Sequence, residues 1–239
     1  MICFLTSSPN IPGSPELNPV NGFLDALRST VPCPCRALYI CSDPDDYEAT
    51  DLYGGLTAES FEDAGLTFSD FDILDGRNPE QAEALVCQAD FIILAGGHVP
   101  TQNRFFAEIG LRELLESFDG VLMGISAGTM NSAEVVYAHP ELEGEAVDPE
   151  YERFLPGLGL TDTMVIPHYQ DIAGGELDGL RLFEDIAFPD SDGNSFFVLP
   201  DGSYLYLHDG MEELRGEAYL IRDGVMEQIS AEGDTIRLR

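Results

Sequence analysis

Short apolar runs alternate with amphipathic stretches in the first half of the chain, and that alternation predicts a parallel sheet flanked by helices. The strand-like runs are Ile2–Leu5, Ala37–Cys41, Phe71–Leu74, Phe91–Leu94 and Val121–Ile125. Between them lie the helix-like segments Val20–Ser29, Thr57–Ala64, Pro79–Cys87 and Thr101–Glu116. In the last, Phe105, Phe106, Ile109, Leu111, Leu114 and Leu115 recur close enough to helical spacing to give one buried face. Phe91-Ile92-Ile93-Leu94-Ala95 is apolar throughout, as expected of a central strand covered on both sides.

Past the fifth strand the texture changes. Residues 137–162 are acidic and carry Pro140, Pro149 and Pro156, which predicts a long excursion over the surface. A further strand, Thr163–Ile166, precedes Pro167. The C-terminal part then reads as a β-meander: Phe196–Leu199, a Pro200-Asp201-Gly202 turn, Tyr204–Leu207, and Ala218–Ile221 joined to Val225–Ile229 around Asp223-Gly224. Asp-Gly between apolar runs is a hairpin signal. With no internal repeat and no linker, the pattern predicts one α/β domain over residues 1–239. It is a three-layer α/β/α fold with a mostly parallel central sheet and an antiparallel C-terminal β extension.

Composition narrows the function. Forty-four Asp and Glu face 11 basic residues in a chain of 239, for a net charge of −33. All the basic residues are Arg, and Lys is absent. A field of that sign repels phosphate backbones and anionic lipid, so neither nucleic acid nor a membrane surface is an expected partner. Without Lys there is no Schiff-base lysine, no P-loop lysine and no Ser-Lys dyad. Such a balance also suits a salty cytoplasm. The five cysteines are odd in number, and Cys33 and Cys35 are one residue apart, a spacing poorly suited to zinc or a local disulfide. Met1-Ile2-Cys3-Phe4-Leu5-Thr6 lacks a basic region and resembles a first strand more than a signal peptide, and no apolar stretch nears the roughly 20 residues needed to span a bilayer. The expectation is a cytoplasmic protein with no metal and no cofactor, monomeric or homo-oligomeric.

The sharpest chemical feature is Val121-Leu122-Met123-Gly124-Ile125-Ser126-Ala127-Gly128-Thr129, an apolar strand running into Gly-x-Ser-x-Gly. That is the form of a nucleophile elbow, in which glycines leave room for a serine on a tight strand-to-helix turn. The plainer account is a βα turn whose serine caps the helix. A catalytic serine needs a base and a carboxylate to orient it. Of the four histidines, His168 follows a strand ending Val165-Ile166-Pro167, at the sheet edge where functional residues gather, and is the preferred base. His98, after Gly96-Gly97, is second; His139 and His208 lie in the excursion and the meander. For the carboxylate, spacing leaves Asp171 and Asp201 even, since Asp201 before Gly202 is also ordinary turn chemistry. Gly96-Gly97 after the buried strand permits close backbone approach to a substrate, so an N–H there pairs with that of Ala127 as a candidate oxyanion hole.

Taken in order, Gly96-Gly97, Gly124-Ile125-Ser126-Ala127-Gly128, Pro167-His168-Tyr169 and Leu199-Pro200-Asp201-Gly202-Ser203 resemble the peptidase E family of serine peptidases, which includes aspartyl dipeptidase and, more distantly, cyanophycinase. The resemblance implies a fold like the class I glutamine amidotransferases. It implies Ser126 as nucleophile, His168 as base, Asp201 as orienter, and Gly97 and Ala127 as oxyanion donors. It also implies short peptides as substrates, dipeptides with N-terminal Asp among them. An acidic side chain then needs a cation, for which Arg104 is the best-placed residue, with His98 beside it as a second substrate contact. Two departures stand out: Ala95-Gly96-Gly97-His98-Val99 replaces the family's usual Gly-Gly-Gly-Asn-Thr, and the triad acid, often Glu, is Asp201. Competing readings are a non-catalytic ligand-binding or regulatory domain on the same shell, and an amidase acting on a non-peptide substrate.

Overall fold

The computed structural model describes residues 1–239. The first half runs β1 (Ile2–Thr6), α1 (Phe23–Thr30), β2 (Cys35–Ile40), α2 (Tyr47–Asp63), β3 (Phe68–Leu74), α3 (Ala82–Gln88), β4 (Phe91–Leu94), α4 (Val99–Glu108), α5 (Leu111–Leu115), β5 (Val121–Ile125) and α6 (Ala127–Asn131). The five strands are parallel, in the order β1-β5-β4-β2-β3. Alternation along them builds two cores. Phe91 and Ile93 of β4 pack with Phe23 and Leu27 of α1 and Phe61 of α2 on one face. Ile92 and Leu94 pack with Val86 of α3 and Phe105 and Phe106 of α4 on the other. Every residue of β4 is buried, which explains its unbroken apolar run.

Two helices differ from the sequence pattern. The segment expected as one helix over Thr101–Glu116 is divided into α4 and α5 at Gly110, whose φ of +64° no helix accommodates. In α2 the helix starts ten residues before Thr57, with Asp46 accepting from the N–H of Ala49 as its cap.

The second half builds a separate small sheet. β6 (Val135–Tyr137) and β7 (Phe154–Pro156) pair antiparallel and frame the acidic excursion, after which come β8 (Met164–Ile166), α7 (Tyr169–Ile172), the two-residue strands β9 (Glu176–Leu177) and β10 (Leu180–Arg181), and α8 (Phe188–Asp190). β11 (Ser195–Val198), β12 (Tyr204–His208), β13 (Met211–Arg215), β14 (Ala218–Arg222), β15 (Val225–Ser230) and β16 (Thr235–Arg237) complete the chain. They do not form one meander. β12 crosses to pair antiparallel with β1, and β13 and β16 follow it, extending the central sheet to eight strands. β8, β11, β14 and β15 form the second sheet, with β8 and β11 parallel neighbours. Pro200-Asp201-Gly202 is therefore a crossing between sheets rather than a hairpin, whereas Asp223-Gly224 joins β14 to β15 as expected. Val165, Leu199 and Ala218 of this second layer join the main core. No helix is long and apolar enough to cross a membrane, and all five cysteines are free.

Candidate active site

Because β5 ends at Ile125 and α6 begins at Ala127, Ser126 alone makes the turn, at φ 50° and ψ −107°. Such a conformation costs a non-glycine residue about 1–3 kcal/mol and persists only where the surroundings hold it. Here β1 holds it: the Ser126 N–H donates to Thr6 O at 3.1 Å, and Thr129 Oγ1 donates to the same oxygen at 2.8 Å. The flanking glycine has a steric reason. A Cβ on Gly128 would lie 2.5 Å from the carbonyl oxygen of Leu94. Ser126 makes no capping bond to its helix. Its Oγ donates instead to Nε2 of His168 at 2.8 Å.

His168 follows β8 and Asp201 follows β11, so the parallel pairing of those strands sets the two residues side by side. His168 Nδ1 donates to Asp201 Oδ1 at 2.8 Å, which leaves Nε2 as the acceptor facing the serine. The carboxylate of Asp171 is exposed and accepts from Gln170 at 3.2 Å. The ring is thus paired with Asp201. Ser7, which nothing in the sequence pattern singled out, ties the arrangement together. Fully buried at the end of β1, it accepts the His168 N–H at 2.8 Å and donates to Asp201 Oδ1 at 2.8 Å. His168 needs that anchor because it sits in the left-handed region, at φ 58°. Burial alone would raise the Asp201 pKa, but hydrogen bonds from His168 and Ser7 outweigh it and hold the carboxyl below its usual value. His168, Asp171 and Asp201 each offer one ligand atom within 4.8 Å of the others, the one such group in the chain. Two of the three are already bonded to each other.

The glycine loop after β4 lies against Ser126: a Cβ on Gly96 would be 3.5 Å from that of Ser126. Gly97 has to be glycine, since its Cβ would fall 2.5 Å from the Cβ of Ser42. The Gly97 N–H, outside any helix or strand, donates to no other protein atom, and Ala127 opens α6, where a first-turn N–H has no partner within its own helix.

The acidic excursion folds back as a wall of this site. His98 Nε2 donates to Glu145 at 2.8 Å and Nδ1 accepts from Thr101 at 2.8 Å, so both ring nitrogens are spent on the protein. Glu145 also accepts the N–H groups of Glu141 and Leu142. His98 therefore fastens the excursion to the glycine loop, in place of the substrate contact expected of it. Glu141 accepts the Val99 N–H at 3.3 Å. Its carboxyl is pushed up to about 7 by burial, reinforced by Glu145 and opposed by that N–H. Arg104 is not brought to the site. It is exposed on α4, opposite the face that buries Val99, Gln102, Phe105 and Phe106.

Comparison with known proteins agrees with this architecture. The family described as Peptidase family S51 matches residues 3–214. Among solved structures, a peptidase from an acI-B1 Actinobacterium superposes with a TM-score of 0.67 at 16% identity, covering 99% of this chain and 96% of that one. A protein assigned to peptidase E from Listeria monocytogenes EGD-e superposes at 0.62 and 15% identity, covering 96% of this chain and 98% of its own. No curated protein matches by sequence. The family match takes in every element described above as contributing to the site, from the strand that carries Ser7 to the crossing that carries Asp201, and the chain belongs to peptidase family S51.

Proposed function

We propose that this protein is a serine-type peptidase that cleaves short peptides through an acyl-enzyme on Ser126. The observation that carries the reading is the pair of 2.8 Å contacts linking Ser126, His168 and Asp201. In the mechanism, Nε2 of His168 takes the hydroxyl proton as Oγ attacks the amide carbonyl. Asp201 fixes the tautomer and stabilises the imidazolium, and the Gly97 and Ala127 N–H groups hold the oxyanion. His168 then protonates the leaving amine, and water repeats the sequence on the ester to release the acid. The hydroxyl already points at the base in the free enzyme, so little reorganisation precedes attack.

Labelling by a fluorophosphonate tests the nucleophile, and hydrolysis of a dipeptide panel tests the reaction. Labelling confined to Ser126, with Ser126→Ala losing about six orders of magnitude in kcat and Asp201→Asn about four, is the expected result. An Ser126→Ala protein that hydrolyses peptides at the wild-type rate removes the reading. A protein that never labels belongs to the non-catalytic class, and one that labels but leaves every peptide intact is an amidase of other substrates.

A further inference from the structure

Against Ile125, the residue before Ser126, and against Asp201 lies a cavity of about 370 Å³ that no step of the mechanism uses. It falls within the range of small-ligand pockets, about 300–1,000 Å³. Its floor is Ile125, the residue before Ser126, and one wall reaches Asp201. The opposite wall is one face of α2, with Tyr53, Leu56, Thr57, Ser60 and Phe61 at helical spacing. The lower half of that face is packed into the core, with Ser60 7% and Phe61 1% exposed. The upper half is uncovered, with Tyr53 58% and Leu56 44% exposed over the cavity. The third wall is the loop 8–15, which three prolines stiffen. The side chain of Asn10 pins it, donating to Pro15 O at 2.7 Å and to Ser60 Oγ at 3.2 Å. The pocket is thus built into the fold, ready before any ligand arrives.

Apart from the carboxylate of Asp201 its lining is uncharged, with Tyr53, Leu56, Phe61 and Ile125 set among hydroxyl, amide and proline residues. No arginine lines it. Arg77, the cation nearest to α2 in its contacts, is held by Asp51 and Asp75. Arg104 belongs to α4, which packs on the other face of the sheet. A carboxylate side chain placed here would be desolvated beside Asp201 with no compensating cation, a costly arrangement.

We infer that this cavity is the side-chain subsite of the peptidase and that it selects large uncharged residues, such as Leu, Met or Phe, beside the scissile amide. The inference rests on the proposed activity and departs from an N-terminal Asp preference. Leucine or phenylalanine would bury its side chain against Ile125, Leu56 and the Tyr53 ring, in a cavity that meets the site at Ile125 and Asp201.

The test is kcat/KM for dipeptides of alanine with Leu, Phe, Asp or Arg at either position, in wild type and in Leu56→Arg. Leu56 is exposed, so this substitution spares the core; Thr57→Arg, one residue on, is a second version. The wild type should prefer Leu or Phe over Asp about tenfold or more at one of the two positions. Leu56→Arg should lose that preference and gain on the Asp peptide at the same position. Wild-type preference for Asp or Arg, equal rates throughout, or an unchanged panel in both arginine variants overturns the subsite. Fluorophosphonate labelling separates this failure from that of the nucleophile. In a protein that does not label, calorimetric binding of the same dipeptides to Ser126→Ala still decides: tighter binding of Leu or Phe upholds the pocket, and tighter Asp or Arg, or no difference, rejects it.

Discussion

At the scale of single residues, the site depends on two side chains held in backbone conformations that L-amino acids avoid, Ser126 and His168, and on Ser7, which stabilises the second. Ser7→Ala removes one hydrogen bond to the Asp201 carboxylate and leaves the buried His168 N–H without a partner. Hydrogen bonds to charged groups contribute about 1.5–3 kcal/mol. The expected outcome is a ten- to hundredfold fall in kcat with KM little changed, measured on whichever dipeptide the wild type cleaves fastest. Glu141 gives a pH-dependent prediction. Its carboxyl, raised by burial from 4.5 to about 7, keeps a proton in the native state that the unfolded chain has already lost, so stability falls as pH rises through that window. Glu141→Gln cannot titrate. Its stability relative to wild type should therefore improve by on the order of 1–3 kcal/mol between pH 4.5 and 7.5, read from denaturant midpoints. A difference that is constant across pH would remove the burial argument. Of these residues, Ser126 and His168, which the structure brings into contact, were legible in the sequence because each follows an apolar strand. Spacing alone left Asp201 and Asp171 even. Ser7 was invisible, since a serine after a first strand has no pattern of its own and acquires its role only when three distant segments meet.

At the scale of elements, β1, β2, β4 and β5 were readable because each is a mostly buried apolar run bounded by loops, whereas β3, at the sheet edge, is buried only at Leu74 and showed its apolar pattern only in its last residues. The C-terminal strands were not placed correctly. Alternating apolar residues show that a segment is a strand, but not which sheet it joins, and β11 and β12 part company at a turn whose residues suit a hairpin equally well. The start of α2 was hidden for a different reason: Gly54 and Gly55 interrupt the pattern, although Gly54 is buried against Ile73 where a larger residue would collide. The second sheet has its own packing centre, where Phe196 of β11 stacks on Tyr137 of β6 with ring centroids 4.0 Å apart. Phe196 is fully buried. Phe196→Ala should cost about 3–5 kcal/mol of stability by unfolding midpoint. Kcat should fall as well, because β11 leads directly to Asp201. A variant that is destabilised yet fully active would show that this sheet does not hold the triad.

Across the whole molecule, the net charge of −33 is spread over a surface with few cations to offset it, and self-repulsion works against the compact state. Screening by salt relieves that repulsion. The melting temperature should therefore rise with KCl, by about 2–4 °C for each kcal/mol recovered in a chain of this size. A flat response would mean that the carboxylates are locally compensated. The same negative field discourages acidic peptides from approaching at all, in keeping with the uncharged subsite proposed at the cavity between Ile125 and α2.

Ser126 belongs to the large sheet, while His168 and Asp201 hang from the small one. The candidate site is consequently a seam, and under the proposed mechanism turnover gauges how tightly two layers are clasped. Ser7 is the stitch across it, projecting from the first layer to grip both residues of the second. Loosening that clasp would silence the enzyme while each layer kept its strands, so loss of activity should precede loss of secondary structure on gentle denaturation.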